Sequence, residues 1–305
     1  MKKWIVIVFG VLLLSIVCIY VLIPGTVLIE RVEPVKCNAT SAFTFFNSEQ
    51  KWTKWWPGQE GVSGGYRFRL QSLYYLNVDI KISGEEMDVS SRMSVIPVRN
   101  DSILLQWTCR VPTSPNPVQR VLRYRAAKRL SGSMQDILTG AGAFLGKQEN
   151  VYGVAFREGS TSDTYLVALR KNFTDYPSTR EIYDMIGIMQ AYIKESGARQ
   201  TSYPIMNVDR PDSSGKWRMT VAVPTDRALE KKGDIYFMRL IPAKFLIADV
   251  KGGEMTVMNG VEGMNNYIRD YRRTVMAMPY RALITDRMAE PDTSRWETRL
   301  YCPIF

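Results

Sequence analysis

Histidine is absent from the chain of 305 residues. That absence excludes Ser-His-Asp and Cys-His catalysis, His-ligated zinc and His-ligated haem together. Cysteine is almost as scarce: Cys18, Cys37, Cys109 and Cys302 stand far apart, with no Cys-x-x-Cys pair. Four scattered thiols describe neither a metal site nor a disulfide framework, and no cofactor is implied. Cys37 and Cys109 could meet on neighbouring strands, but separate buried thiols are the simpler expectation. Acidic residues are outnumbered, 30 against 40 Lys and Arg, which gives a formal net charge of +10. Such basicity suits a membrane surface, an anionic ligand or nucleic acid. No helix-turn-helix, zinc-finger or RNA-binding signature is present, so no nucleic-acid partner is expected.

Charge is also missing from Trp4 to Ile23, a run that follows Met1-Lys2-Lys3. At about 1.5 Å per residue the run just spans a hydrocarbon core of about 30 Å, and Trp4 and Tyr20 lie near its ends, where aromatic rings favour the interface. A cleaved signal peptide would want a small-x-small site, which Tyr20-Val21-Leu22-Ile23-Pro24 does not offer. A single-pass anchor over residues 4–23 is therefore expected. Lys2, Lys3 and the amino terminus favour the cytoplasm, which puts the remainder outside the inner membrane, in the periplasm of a diderm cell.

The rest is long enough for two domains, and its composition is that of a globular protein. The expected division is an anchor over 1–25, a domain over 26–150, a linker over 151–162 and a second domain over 163–305. Thr26–Glu33 alternates as a strand, and Asn38 can cap a short helix bearing Ala42, Phe43, Phe45 and Phe46. Trp52, Trp55 and Trp56 follow. Alternating segments at Tyr66–Tyr74, Leu76–Ile82, Met87–Val98 and Ile103–Val111 predict a meander. A long helix over about Ala126–Gln148 carries Leu130, Met134, Ile137, Leu138, Ala141 and Leu145 on one stripe. This order, with a phenylalanine-rich helix running into three tryptophans, resembles the START-like (SRPBCC, polyketide cyclase-like) superfamily. The resemblance implies a helix-grip α+β fold that binds lipids or other apolar molecules, with Trp55 and Trp56 at the ligand mouth unless they serve only as packing. From Arg110 to Arg129 six basic residues occur and no acidic one. They suit a solvated helix face or, beside an anchor, anionic headgroups.

Residues 163–305 contain a repeat. Trp217–Pro224 (WRMTVAVP) and Trp296–Pro303 (WETRLYCP) both place a proline seven positions after a tryptophan, and an amphipathic helix precedes each. The helices carry Gly187, Met189, Tyr192 and Ile193 in one copy and Gly263, Met264, Tyr267 and Ile268 in the other. Duplicated β-α-β-β units of this kind suggest two copies sharing one sheet and one cleft. This half resembles the gyrase-inhibitor-like superfamily, the effector-binding domain of AraC- and MerR-type regulators. The resemblance implies an apolar, often cationic, small molecule between the repeats, and for a subset a hydrolase using a pocket Glu and Tyr. The pocket glutamate of that family stands four residues before the final proline, where this chain has Arg299. Glu297 lies two residues earlier, on the same strand face. Glu297 and Arg299 could pair with each other, or Arg299 could select an anionic ligand. Tyr192, Trp217, Tyr267, Trp296 and Tyr301 complete the candidates, each open to plain core packing.

The function expected from these readings is a membrane-anchored sensor or carrier of hydrophobic or amphiphilic small molecules, without turnover. A hydrolase using Glu297 with Tyr267 or Tyr301 is the rival, weakened by the arginine beside that carboxylate. A partner-binding envelope protein with a degenerate cleft is a third reading.

Overall fold

Alternation of side chains along five segments folds the first half of the chain into one antiparallel sheet. The computed structural model describes every residue except 1, 60, 85–86, 163, 210–212 and 214, together with the side chains of 2, 3 and 6. It divides into two units, Met1–Lys147 and Gln148–Phe305, each an α+β arrangement.

The first unit opens with α1 (Lys2–Leu22), β1 (Thr26–Val35) and α2 (Ala39–Phe46). It continues through β2 (Val62–Ser63), β3 (Tyr66–Tyr74), β4 (Asn77–Gly84), β5 (Met87–Arg99) and β6 (Ser102–Pro112), and ends in α3 (Pro117–Leu145). The sheet order is β1-β6-β5-β4-β3-β2. Along β6, Ile103, Leu105, Trp107, Cys109 and Val111 are buried while the residues between them are not. Period-two geometry thus turns one face onto α3. The expected helical stripe from Leu130 to Leu145 is buried in full. Cys37 and Cys109 are both buried and free. The helix begins well before Ala126, at Pro117: the Asn116 side chain accepts from the backbone N–H groups of Val118 and Gln119, and proline at the first position forgoes a donor no helix start needs.

α1 is one helix of 21 residues. Among the described residues no helix is long and apolar enough to cross a membrane, so the expected span over residues 4–23 finds no support there. Met1 and the side chains of Lys2 and Lys3, on which the expected orientation rests, lie outside the described residues.

The second unit contains α4 (Gln148–Tyr152), β7 (Arg157–Ser160), β8 (Thr164–Phe173), α5 (Thr179–Glu195), β9 (Ile205–Asp209), β10 (Trp217–Thr225) and β11 (Tyr236–Leu240). β12 (Lys244–Lys251), α6 (Glu254–Asp270), β13 (Tyr280–Leu283) and β14 (Glu297–Pro303) follow. Its sheet runs β11-β8-β10-β9-β13-β14-β12-β7, antiparallel throughout. The two halves of that order are the same: β8, β10 and β9 stand as β12, β14 and β13 do, and the copies meet where Ile205 and Met206 face Ala282 and Arg281. Each copy gains an outer strand, β11 beside β8 and β7 beside β12. The stretch 151–162 therefore carries the end of α4 and a strand of this sheet.

The helices α5 and α6 are both 17 residues long. In that register Met189, Tyr192 and Ile193 match Met264, Tyr267 and Ile268, but Gly263 matches Ile188, one place after Gly187. The two glycines are thus not equivalent. A Cβ on Gly187 would meet nothing within 4 Å, whereas one on Gly263 would stand 2.0 Å from the carbonyl oxygen of Tyr152. Glycine at 263 lets α6 lie against α4. We expect Gly263→Ala to destabilise the second unit by about 3 kcal/mol through overpacking, and Gly187→Ala to stabilise it by about 0.5–1 kcal/mol through helix propensity. Chemical denaturation of the full chain would read both, and equal effects would deny the close approach of α6 to Tyr152.

Candidate functional site

In the second unit the sheet has two unlike faces. Met219, Val221 and Val223 point to α5, and Thr298, Leu300 and Cys302 point to the side of α6. The alternate residues, Thr220 and Ala222 in one copy and Glu297, Arg299 and Tyr301 in the other, point the opposite way. There an open cleft of about 750 Å³ crosses both copies. Leu166, Ile205 and Ala282 give it an apolar floor, and more than half of its lining residues carry a hydroxyl.

Tyr280 and Tyr301 face each other in register and stack, with ring centroids 4.8 Å apart and an interplanar angle of 16°. Phe245 packs edge-on to both rings. Burial, with Tyr301 alongside, pushes the Tyr280 hydroxyl well above the usual tyrosine range, so it stays a neutral donor. Arg299 pairs with Asp249, its direct partner on β12, and Arg157 Nη2 reaches the same carboxylate at 3.0 Å. Glu297 is exposed and makes no ion pair with Arg299 among the described residues. Burial alone would raise Asp249, but the two guanidinium groups outweigh it and hold the carboxyl below its ordinary value. Asp226, which lines the cleft, is held low chiefly by the backbone N–H of Arg199, helped by that arginine's guanidinium. Thr161 Oγ1 lines the cleft and is buried without a hydrogen-bond partner among the described residues. An orphaned hydroxyl costs free energy unless water or a ligand meets it.

The candidates named from sequence fall into four places. Arg299 and Tyr301 line the cleft, and Glu297 lies on the same strand face at the exposed end of β14. Trp217 and Trp296 lie on the helix side: Trp217 packs on the α5 core with its ring edge against Tyr176, and buried Trp296 donates Nε1–H to the Glu290 carbonyl at 2.8 Å. Tyr192 flanks a separate groove of about 680 Å³ along α5 and donates to the Glu230 carbonyl at 2.7 Å. Tyr267 belongs to a ring cluster with Tyr152, Phe156 and Tyr271. In the first unit Trp55 and Trp56 are buried in a continuous aromatic cluster with Trp52, Phe68 and Trp107, in which Trp52 and Trp56 stack. Their indole N–H groups are taken by the carbonyls of Phe45 and Val62. An apolar groove of about 350 Å³ beside Trp4 and Phe9 is the outer surface of bare α1. Sequence reasoning missed Tyr280, Asp249 and Thr161. The period of β12 put Asp249 on a face, but only the register placed it opposite Arg299.

The helix side holds the other polar feature. Glu254, at the start of α6, receives Arg281 Nη1 at 2.5 Å, Arg287 Nη1 at 3.4 Å and the Tyr176 hydroxyl at 2.6 Å. Arg287 also donates to Thr298 Oγ1 at 2.8 Å and stacks over Trp296 at 4.7 Å. Tyr183, on α5, accepts from the Arg287 backbone N–H at 2.8 Å. Burial would raise the Glu254 carboxyl, but Arg281, the Tyr176 hydroxyl and Arg287 together hold it below its usual value.

No protein-family model matches the chain, and no curated protein matches it. Among solved structures it is similar to the C-terminal domain of EcmrR, at 15% identity over 50% of this chain and 98% of that one, with a TM-score of 0.44. It is also similar to SAV2435 bound to tetraphenylphosphonium, at 14% identity over 50% of this chain and 94% of that one, with a TM-score of 0.33. A hydrolase from Listeria innocua is similar at 9% identity over 49% and 91%, with a TM-score of 0.37. At these identities and scores the likeness assigns nothing to this chain.

Because the folded value of Glu254 is depressed, its contribution to stability is complete above the ordinary glutamate value, about 4.3, and is lost as pH falls through the lower folded value. We expect Glu254→Gln to cost about 3 kcal/mol at neutral pH, since it strands two buried guanidinium groups. The variant should also lose less stability than the parent on acidification below about pH 4.3. Urea titrations across that range would check both, and parallel pH profiles would deny the depressed carboxyl.

Proposed function

We propose that this chain is a membrane-anchored binding protein, a sensor or carrier of amphiphilic small molecules, which holds its ligand in the cleft of the second unit without chemical turnover. The observation that carries the reading is the cleft itself. It bridges both repeats, and it joins an apolar floor to a stacked tyrosine pair, many hydroxyls and the unpartnered Thr161 hydroxyl. Apolar walls with a few convergent polar groups are what a small-molecule site requires. The duplicated order about the β9–β13 junction also supports a gyrase-inhibitor-like arrangement, and the sheet with its long closing helix supports a START-like one. Weight falls on the second unit because the indoles of Trp55 and Trp56 are already packed and hydrogen-bonded.

A hydrolase is the weaker reading. Asp249 is held low by two guanidinium groups and Asp226 chiefly by the Arg199 backbone N–H, and a carboxylate held low is a poor general base. Glu297 is exposed, and Tyr267 is engaged in its ring cluster around α6.

Anchoring and an inner-membrane, outward-facing location belong to the same proposal. Twenty-one residues of helix rise about 31 Å, and Trp4, Ile7, Phe9, Leu14 and Leu22 along it are exposed. Such a surface is unfavourable in water and fits lipid.

Native mass spectrometry of the full chain in nanodiscs, with a panel of amphiphiles of either charge, tests the binding reading. We expect a retained compound whose affinity falls about tenfold or more in Tyr301→Ala, as for an aromatic anchor, and falls also in Arg299→Ala if the head group is anionic. A bare protein whose melting no compound shifts would sink it.

A further inference from the structure

The end of α1 is not a hinge. Ile23 is buried, and β1 begins at Thr26 directly opposite Pro112, the last residue of β6. Thr113 donates its backbone N–H to the Gly25 carbonyl at 2.9 Å and its hydroxyl to the Pro24 carbonyl at 2.8 Å. The Tyr20 hydroxyl donates to the Pro115 carbonyl. Arg120, from the first turn of α3, lies 4.8 Å over the Tyr20 ring and donates from Nε at 2.9 Å and Nη2 at 2.6 Å to the Ile23 carbonyl. A guanidinium at a helix C-terminus meets both the free carbonyls and the negative end of the dipole. The helix is thus fixed to the segment that starts α3, with no flexible linker between them.

The first turns of α3 are built for an interface rather than for the core. Val118 is 67% exposed and Leu122 50%, four residues apart on one face. Arg125 and Arg129 continue that face, and Arg123 and Lys128 are exposed on its flanks. From Arg110 to Arg129 no acidic residue offsets these charges. In water two bare aliphatic side chains beside a ring of cations have nothing to gain. At a bilayer surface the aliphatics reach the acyl boundary while the cations meet phosphate.

We infer that the N-terminal half of α3 is a membrane-contact surface for anionic phospholipid headgroups, pressed onto the bilayer by its rigid junction with α1. The inference rests on the anchor reading of α1. It adds that the first unit does not hang from a tether but sits on the lipid, with Val118 and Leu122 at the acyl boundary and Arg123, Arg125 and Lys128 at the phosphates. Arg120 is the positioning residue that locks the two helices together.

The test uses the full chain with Cys18→Ser, which leaves only buried thiols at Cys37, Cys109 and Cys302. Leu122→Cys, Leu13→Cys and Tyr75→Cys are each labelled with an environment-sensitive fluorophore. The chain is reconstituted in phosphatidylcholine vesicles with and without phosphatidylglycerol, each carrying headgroup or acyl-chain spin quenchers. We expect the Leu13 label to be quenched by the acyl probe, and the Leu122 label by the headgroup probe, more strongly with phosphatidylglycerol. The Tyr75 label, at the exposed hairpin joining β3 to β4, should stay in water. Arg123→Glu with Arg125→Glu and Lys128→Glu should abolish the phosphatidylglycerol-dependent part of the Leu122 quenching while leaving Leu13 unchanged. A quenched Leu13 label with an unquenched Leu122 label overturns the contact surface and spares the anchor. An unquenched Leu13 label overturns both. Val118→Cys repeats the measurement if labelling at 122 disturbs the helix.

Discussion

One half-buried carboxylate shared between two buried guanidinium groups is the polar centre of the second unit. The repeats pair through only a short contact of β9 with β13, so little backbone ladder joins them. On the helix side, Glu254, Arg281, Arg287 and Thr298 come from the second copy, while Tyr176 and Tyr183 come from the first. Charges taken out of water are costly unless each finds partners; the ion pairs lie within the second copy, and the tyrosine contacts that complete them cross to the first. Sliding or opening the junction would take Tyr176 from Glu254 and Arg281, and Tyr183 from the Arg287 backbone N–H, while Glu254 keeps both arginines. The network therefore contributes specificity of arrangement, the use best attested for buried ionic groups. On the opposite face Tyr280 and Tyr301 are aligned by the β13–β14 register within the second copy.

The two faces of the sheet explain why residues close in sequence do different work. Trp296, Thr298 and Leu300 lie on the helix side, and Glu297, Arg299 and Tyr301 on the cleft side, because strand side chains alternate. Trp217 and Trp296, which mark the repeat most plainly, are therefore core and seam residues. A motif that is easy to see is often one that packing demands twice. The residues that make the two clefts of a duplicated domain unlike are those that break the symmetry. Thr220 in one copy and Arg299 in the other stand at matching places, and Arg170 Nε donates to the Thr220 hydroxyl while Asp249 receives Arg299. The cleft thus carries hydroxyls on both sides with charges of opposite sign, Asp226 beside the first copy and Arg299 in the second.

Much of this architecture was legible in the sequence because its cause is local. The helical stripe of α3, the strands from Tyr66 to Val111 and the cap at Asn38 follow from period and side-chain chemistry. The start of α3 at Pro117 was also written locally, in Asn116-Pro117, yet it was masked by a run of basic residues that reads as polar surface. The glycines at 187 and 263 misled for the opposite reason: they look alike in sequence, and only the helix register shows that one meets solvent and the other a backbone carbonyl. Long-range partners were out of reach. Nothing near Arg299 announces Asp249, fifty residues earlier, and a strand order that places β11 beside β8 cannot be read from a segment that precedes the second helix.

A rigid junction changes what a membrane anchor can mean. A tethered domain samples every orientation, and its basic patch meets lipid only at the effective concentration its linker sets. Here Tyr20, Ile23 and Arg120 leave almost no linker, so the ordering entropy is met once, during folding, and not again at each contact with the bilayer. The same geometry limits α1: it cannot tilt without tilting the sheet that β1 begins. Were α1 to cross a bilayer as proposed, coupling between lipid and first unit would need no ligand-induced change in that unit, only a change in bilayer thickness or charge that alters the preferred tilt of α1. Under the proposed membrane contact, the basic start of α3 is the part of the fold that would feel such a change first, since it lies where α1 meets the sheet.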